Sequence, residues 1–172
     1  MDSDLIVIKA RDFVELHHRG ETRKFGNTPY FVHPERVAKM MEEFNQSAEI
    51  IAAAYLHDII ENTPISYDVL LSEFGQKIAD LVLELTSDKT KYDKSTKAQY
   101  LAAKMQEMNQ DALTIKLADR LDNVSGLSEA DETFTKRYVN ETKYILDHLS
   151  REFTDVQKIL VQRIKECISP FL

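Results

Sequence analysis

His57 and Asp58 close an apolar run in the stretch AAAYLHDIIENT (residues 52–63), and Glu61-Asn62 follow one turn later. Adjacent residues on a helix point about 100° apart. An imidazole and a carboxylate side by side therefore reach one point only at the end of an element or around a central ion. A divalent cation is such a point, because it accepts imidazole nitrogen and carboxylate oxygen together. The spacing adds a second layer: Glu61 shares a helix face with His57, and Asn62 shares one with Asp58. Two further residues have the right chemistry. His33 precedes Pro34 at a helix start, and Asp119 lies inside the apolar segment LTIKLADRLDNV. A buried carboxylate without a partner is costly; a metal would satisfy Asp119, and so would Arg120 or Arg23. His57-Asp58 also suits a core histidine beside a capping carboxylate, so residue types alone leave both readings open.

These groups need helices to position them. Asp4 to about Arg19 carries Leu5, Ile8, Phe13 and Leu16 at mostly helical steps, which predicts a first helix. An irregular loop follows through Gly20 and Gly26–Pro29. Pro34 suits the first position of a second helix, with Val37, Met40, Met41 and Phe44 on its apolar face. Ser47 is placed to cap a third that runs to about Glu61. Its IIAAAYL stretch is apolar nearly all round, which marks it as central. Pro64 ends it. Ser66 opens a short helix closed by Gly75, and helices over 77–85 and about 94–108 come next. Residues 86–97, TSDKTKYDKSTK, read as an exposed polar loop. Asp111 is expected to cap a helix through Val124. Two longer helices near 130–149 and 152–168 carry Phe134, Tyr138, Ile145 and Leu149, then Phe153, Val156, Leu160 and Ile164. No segment sustains strand alternation. The expectation is an all-α fold: one compact helical bundle of about eight or nine helices, with residues 1–172 forming a single domain.

Composition bounds the function. The 172 residues are 43% hydrophobic and 30% charged, with only four Gly and four Pro, a globular balance that leans helical. A net charge of −7 argues against extended nucleic acid as a partner. No apolar run approaches a membrane span of about 20 residues, and the acidic start MDSD is not that of a secretory signal. Cys167 is the single cysteine; without a partner it reads as inert filler and suits a reducing cytoplasm.

In order, His33, His57-Asp58 and Asp119 resemble the H…HD…D signature of the HD phosphohydrolase superfamily. The likeness narrows. RKFGNTPYFVHPERVAKMM is similar to the opening of the hydrolase domain in RelA/SpoT-type alarmone enzymes. AAAYLHDIIENT resembles its HDxxED stretch, FGQKIADLVLELTSDKT a further segment, and IKLADRLDNV its KLADRLxN motif. The short length resembles the small stand-alone alarmone hydrolases, of which metazoan SpoT homologues are an example. The resemblance covers roughly residues 8–147.

That resemblance implies one metal, usually manganese with other first-row ions acceptable, held by His33, His57, Asp58 and Asp119. It implies removal of the 3′-pyrophosphate from a guanosine nucleotide such as (p)ppGpp. Glu61 would orient or deprotonate water, with Asn62 beside it. Arg23 and Lys24 match the family's basic pair for base and phosphates. Asn123 could contact the ribose, and Lys97, with Lys91, could add phosphate contacts; each also reads as an ordinary loop or helix-end residue. Tyr30 reads as packing and His18 as structural. Three departures stand out: Asn62 replaces the usual Asp, GNTP carries one extra residue, and Asp122 replaces a usual aromatic or His, with the basic residues that usually follow the Asn absent from VSGL. They touch water handling and nucleotide reading, not the metal set. Two alternatives follow: an HD hydrolase of another phosphate ester (an adenosine alarmone, a dinucleotide phosphate, a nucleoside monophosphate), or a degenerate HD domain that binds nucleotide without turnover.

Overall fold

A computed structural model describes residues 3–23 and 28–172. Among them there are ten α-helical segments and no strand, only an isolated antiparallel bridge between Thr22 and Pro29. The segments are α1 Ser3–His17, α2 Val32–Glu43, α3 Ala48–Leu56, α4 Ile59–Asn62, α5 Tyr67–Phe74, α6 Gln76–Leu85, α7 Lys97–Glu107, α8 Gln110–Ser125, α9 Glu132–Asp147 and α10 Asp155–Ile168. The expected all-α class holds, and α4 is a single turn. Among the described residues no helix is long and apolar enough to cross a membrane. The chain divides into two compact units, one ending at Ser87 and one spanning Asp88–Leu172.

In the first unit α3 is the hub, with α1, α2 and α6 packed on it. Ala52, Ala53, Ala54, Tyr55 and Leu56 are all buried. Ser47 caps it by accepting the Ile50 N–H at 3.3 Å, and Ser66 caps α5 in the same way. Gly75 joins α5 to α6 at φ 86°, a left-handed backbone that favours glycine. The phase of α1 differs from its pattern. Leu5, Ile8 and Leu16 are 54%, 52% and 56% exposed, whereas Ala10 and Val14 are fully buried. Packing on an alanine-rich helix brings backbones close, so the small residues of α1 turn inward.

The helix expected to run from Ser47 to Glu61 is broken at His57-Asp58. In a continuous helix the Asp58 N–H would bond the Ala54 carbonyl. Instead that carbonyl takes the His57 N–H at 3.5 Å and the His57 ring Nδ1 at 2.6 Å, and Asp58 adopts φ −103°, ψ 0° before α4 begins. Thr63, before Pro64, is extended as the proline requires. Helix α2 begins at Val32, so Pro34 is its third residue rather than its first. That position is equally free of cost, because the first four N–H groups of a helix lack an intrahelical acceptor.

In the second unit α8 packs against α9 and α10, and α7 against α9. The cap of α8 is Asn109, which accepts the Ala112 N–H at 2.8 Å, rather than Asp111. Asp111 lies in the first turn, where its charge favours the helix dipole. On α9 the buried stripe is Thr135, Val139, Thr142 and Ile145; Phe134, Tyr138 and, past its end, Leu149 are half-buried. The threonines enter the core because their hydroxyls donate to the carbonyls of Leu127 and Tyr138. Helix α10 opens with a capping box between Thr154 and Gln157. The fully buried Gln157 amide then donates to the Gln110 carbonyl, Gln110 Oε1 and Thr114 Oγ1 at 2.8–3.1 Å. Arg151 donates to the carbonyls of Met105, Gln106 and Met108, closing the C-terminus of α7. The 86–97 segment is mostly exposed, with one 3-10 turn at Lys89–Lys91.

Candidate metal centre

The break in the hub helix creates the site. It leaves His57 as the residue that follows α3 and Asp58 as the one that precedes α4, with their side chains close together. His57 Nε2 lies 3.2 Å from Asp58 Oδ2. From α2, His33 is aimed at the same place: its Nε2 is 3.2 Å from His57 Nε2 and 3.8 Å from Asp58 Oδ2. Both imidazoles are buried and Asp58 is half-buried.

This donor set fits a divalent cation. A carbonyl only accepts, so His57 Nδ1 donates to the Ala54 carbonyl oxygen, and Nε2 is the ring nitrogen that would face a cation. Two buried imidazole nitrogens and a carboxylate oxygen facing one point are otherwise a poorly matched cluster. His33, His57 and Asp58 thus form a group able to hold a metal ion.

What orients these ligands lies in the loop before α2. The Tyr30 N–H bonds the Glu21 carbonyl at 2.9 Å, and the Arg23 N–H bonds the Thr28 carbonyl at 3.2 Å. Buried His18 packs tilted against the Tyr30 ring, with centroids 4.7 Å apart, and contacts Glu21 Oε2 through Nδ1 at 2.8 Å. The Val32 and His33 N–H groups then bond the carbonyls of Pro29 and Tyr30, which sets Tyr30 and His33 on one side of the first turn of α2. The Tyr30 hydroxyl donates to Asp58 Oδ2. From sequence, Tyr30 reads as packing. Nothing local could have assigned it otherwise, since its partner is 28 residues away.

The other candidates fall as follows. Glu61 Oε1 accepts the Ser87 N–H at 2.6 Å, tying α4 to the end of α6. Asn62 is exposed, and its Nδ2 donates to the Tyr30 hydroxyl at 3.4 Å. Arg23 is half-buried in the loop; Lys24 lies outside the described residues. In the second unit Asp119 is buried on α8. Lys116 lies 2.9 Å from its Oδ2, and Asn123 lies 3.3 Å from its Oδ1. Arg120, a partner considered for Asp119 from sequence, instead donates to Glu141 at 3.1 Å and lies 4.5 Å over the Tyr138 ring. Lys97, at the start of α7, sits 3.8 Å from the same Glu141 carboxylate.

A family model described as HD domain matches residues 10–152, a span that enters both units. The chain belongs to the HD-domain family. Within that family it is 34% identical over 133 residues to a probable guanosine-3′,5′-bis(diphosphate) 3′-pyrophosphohydrolase of Mycoplasma pneumoniae, covering 71% of this chain and 18% of that protein. It is 36% identical over 138 residues to the bifunctional (p)ppGpp synthase/hydrolase SpoT of Escherichia coli K12, covering 77% and 20%. This HD-domain chain thus spans about a fifth of the length of these curated relatives. A solved structure of a metazoan ortholog of SpoT, described as hydrolysing ppGpp with a role in starvation responses, superposes with a TM-score of 0.83 at 25% identity over 94% of each chain.

Proposed function

We propose that this HD-domain chain is a metal-dependent hydrolase that removes the 3′-pyrophosphate from guanosine alarmones such as (p)ppGpp. The observation that carries the reading is the convergence of His33 Nε2, His57 Nε2 and Asp58 Oδ2 on one point. The names of its relatives, and the near-complete overlap with the metazoan SpoT ortholog, support the substrate. In our reading Asp119 is the fourth ligand, by its place in the KLADRLDN motif, manganese(II) is the ion, and both units serve one domain.

A bound divalent ion would lower the pKa of a coordinated water and polarise a phosphoryl oxygen. The chain's own groups do the rest. Glu61 Oε2 orients the attacking water and takes its proton, while Oε1 stays on the Ser87 amide. Water adds to the phosphorus joined to the ribose 3′ oxygen. That P–O bond breaks, pyrophosphate is released and the 3′ oxygen is protonated. Arg23 and Lys24 form a basic lip that offsets the −7 background, with the guanidinium suited to both purine stacking and phosphate pairing. Asn123 meets the ribose, and Lys97 adds a cation from α7. The partner is a small nucleotide in a reducing cytoplasm.

The test is an assay of purified, manganese-loaded protein against ppGpp, an adenosine counterpart, a dinucleotide 2′-phosphate and a nucleoside monophosphate. Pyrophosphate release from ppGpp is expected to be fastest. Faster turnover of another ester would replace the substrate, and binding without turnover would make the chain a nucleotide sensor.

A further inference from the structure

Asn62, four residues after Asp58, has a partner in the structure. Its amide donates to the Tyr30 hydroxyl, and the Tyr30 hydroxyl donates to Asp58 Oδ2. The chain of bonds runs one way only. A phenol has a single proton and can donate once, while an amide NH₂ only donates. With Asn at 62, the Tyr30 proton has no competing carboxylate on that side, so it goes to Asp58.

We propose that Tyr30 is a positioning residue for the metal site, holding the Asp58 carboxylate through its hydroxyl, and that position 62, because it offers no carboxylate, leaves that hydroxyl directed at Asp58. The proposal rests on the reading of His33, His57 and Asp58 as metal ligands. Three features support it. Tyr30 is itself held from both sides, by the Glu21 carbonyl on its backbone and by buried His18 against its ring. A carboxylate oxygen has two lone pairs, so the bond from Tyr30 and a bond to a cation can coexist on Oδ2. Asp58 also follows the helix break with a non-helical backbone and makes no side-chain cap bond to α4. The bond from Tyr30 adds to what holds its rotamer, and loss of such a bond to a metal ligand typically costs about 10–100-fold in metal affinity.

With a carboxylate at position 62 the outcome changes. An ionised carboxylate there can only accept, and Asp58, once it donates electron density to a cation, is the poorer acceptor of the two. The Tyr30 proton would turn to residue 62 and stop holding Asp58.

The experiment is a double-mutant cycle read by calorimetric titration of manganese(II) chloride into wild type, Tyr30→Phe, Asn62→Asp and the double variant. The extra charge at position 62 acts on the ion in both proteins that carry Asn62→Asp and cancels in the cycle. Tyr30→Phe should weaken manganese binding at least about tenfold in the wild-type background, and less than about threefold in the Asn62→Asp background. Metal-free melting curves report whether each variant folds. Asn62 is exposed, so Asn62→Asp and Asn62→Ala keep the idea testable if Tyr30→Phe does not fold. Asn62→Ala, which adds no acceptor, should leave tyrosine and metal coupled as in wild type, read by the perturbation of tyrosine absorbance on adding manganese; Asn62→Asp should abolish that signal. Equal losses from Tyr30→Phe in both backgrounds, or none in either, would overturn the proposal. A wild-type chain that binds manganese but leaves ppGpp intact ends the substrate reading and leaves the Tyr30 proposal standing. A wild-type chain that binds no manganese ends both.

Discussion

Glu61 Oε1 accepts the backbone N–H of Ser87 at 2.6 Å, so the residue read as the general base also fixes the start of the polar 86–97 segment. The two roles separate by substitution. Glu61→Gln keeps an oxygen for Ser87 but cannot take a proton. We expect it to lower kcat by about 10²–10⁴-fold, the usual contribution of a general base, with little change in melting temperature. Steady-state kinetics and a melting curve check this; an active Gln variant would leave Glu61 only its structural role.

Removing a metal ligand should empty the site rather than unfold the chain. We expect His57→Ala and Asp119→Ala to lose most of their manganese by elemental analysis after gel filtration. Full occupancy in both would end the ligand assignment.

The basic lip makes a salt-dependent prediction. Neutralising Arg23 and Lys24 together should raise KM for a polyphosphorylated nucleotide at low ionic strength, with less effect at high salt, where screening already weakens the attraction. A KM that is unchanged at low salt would make the pair ordinary loop residues.

Arg120 and Glu141 form a nearly buried ion pair, with side chains 5% and 9% exposed. Removing one partner strands the other away from water. Glu141→Ala should cost about 3–5 kcal/mol of stability, measured by urea denaturation, and should lower the midpoint far more than removal of the exposed Lys143–Asp147 pair.

Tyr55 gives a pH dependence. Burial first, then the charges of Glu35 and Glu42, raise its pKa above the ordinary value of 10.0. The unfolded chain therefore loses this proton at lower pH than the folded one. The stability is fully present below pH 10 and declines as pH rises past the unfolded value toward the folded one. Tyr55→Phe should flatten the fall of stability with pH in that alkaline window and leave the slope near neutrality unchanged, as read from denaturation series at fixed pH.

Much of this was legible in the sequence because the signals were local. Ser47, Ser66 and Gly75 mark helix ends through groups within three residues of them. His57-Asp58 at the end of an apolar run is likewise a local pattern. The misses are where tertiary packing or competition decided. Leu5, Ile8 and Leu16 look like a core face, yet an alanine-rich neighbour selects Ala10 and Val14 instead. Asn109 and Asp111 are both good caps, and only the backbone geometry chooses the former. The break at residue 57 has no Gly or Pro to announce it; there the Ala54 carbonyl is occupied by the His57 ring and the His57 N–H. Tyr30 and Glu61 find their partners 28 and 26 residues away, beyond any helical or strand period.

The buried Gln157 amide has a consequence for how the second unit opens. Its bonds reach back to Gln110 and Thr114 on α8, while Arg151, just ahead of α10, closes the end of α7. Pulling α10 away would remove the Gln157 donor from the α8 acceptors and loosen the Arg151 closure of α7 at once. Although α10 comes last in the order of helices, its amides should not exchange with solvent deuterium like those of a fraying tail. They should exchange together with those of α8, as one cooperative opening, so that the final helix keeps time with the helix that carries Asp119.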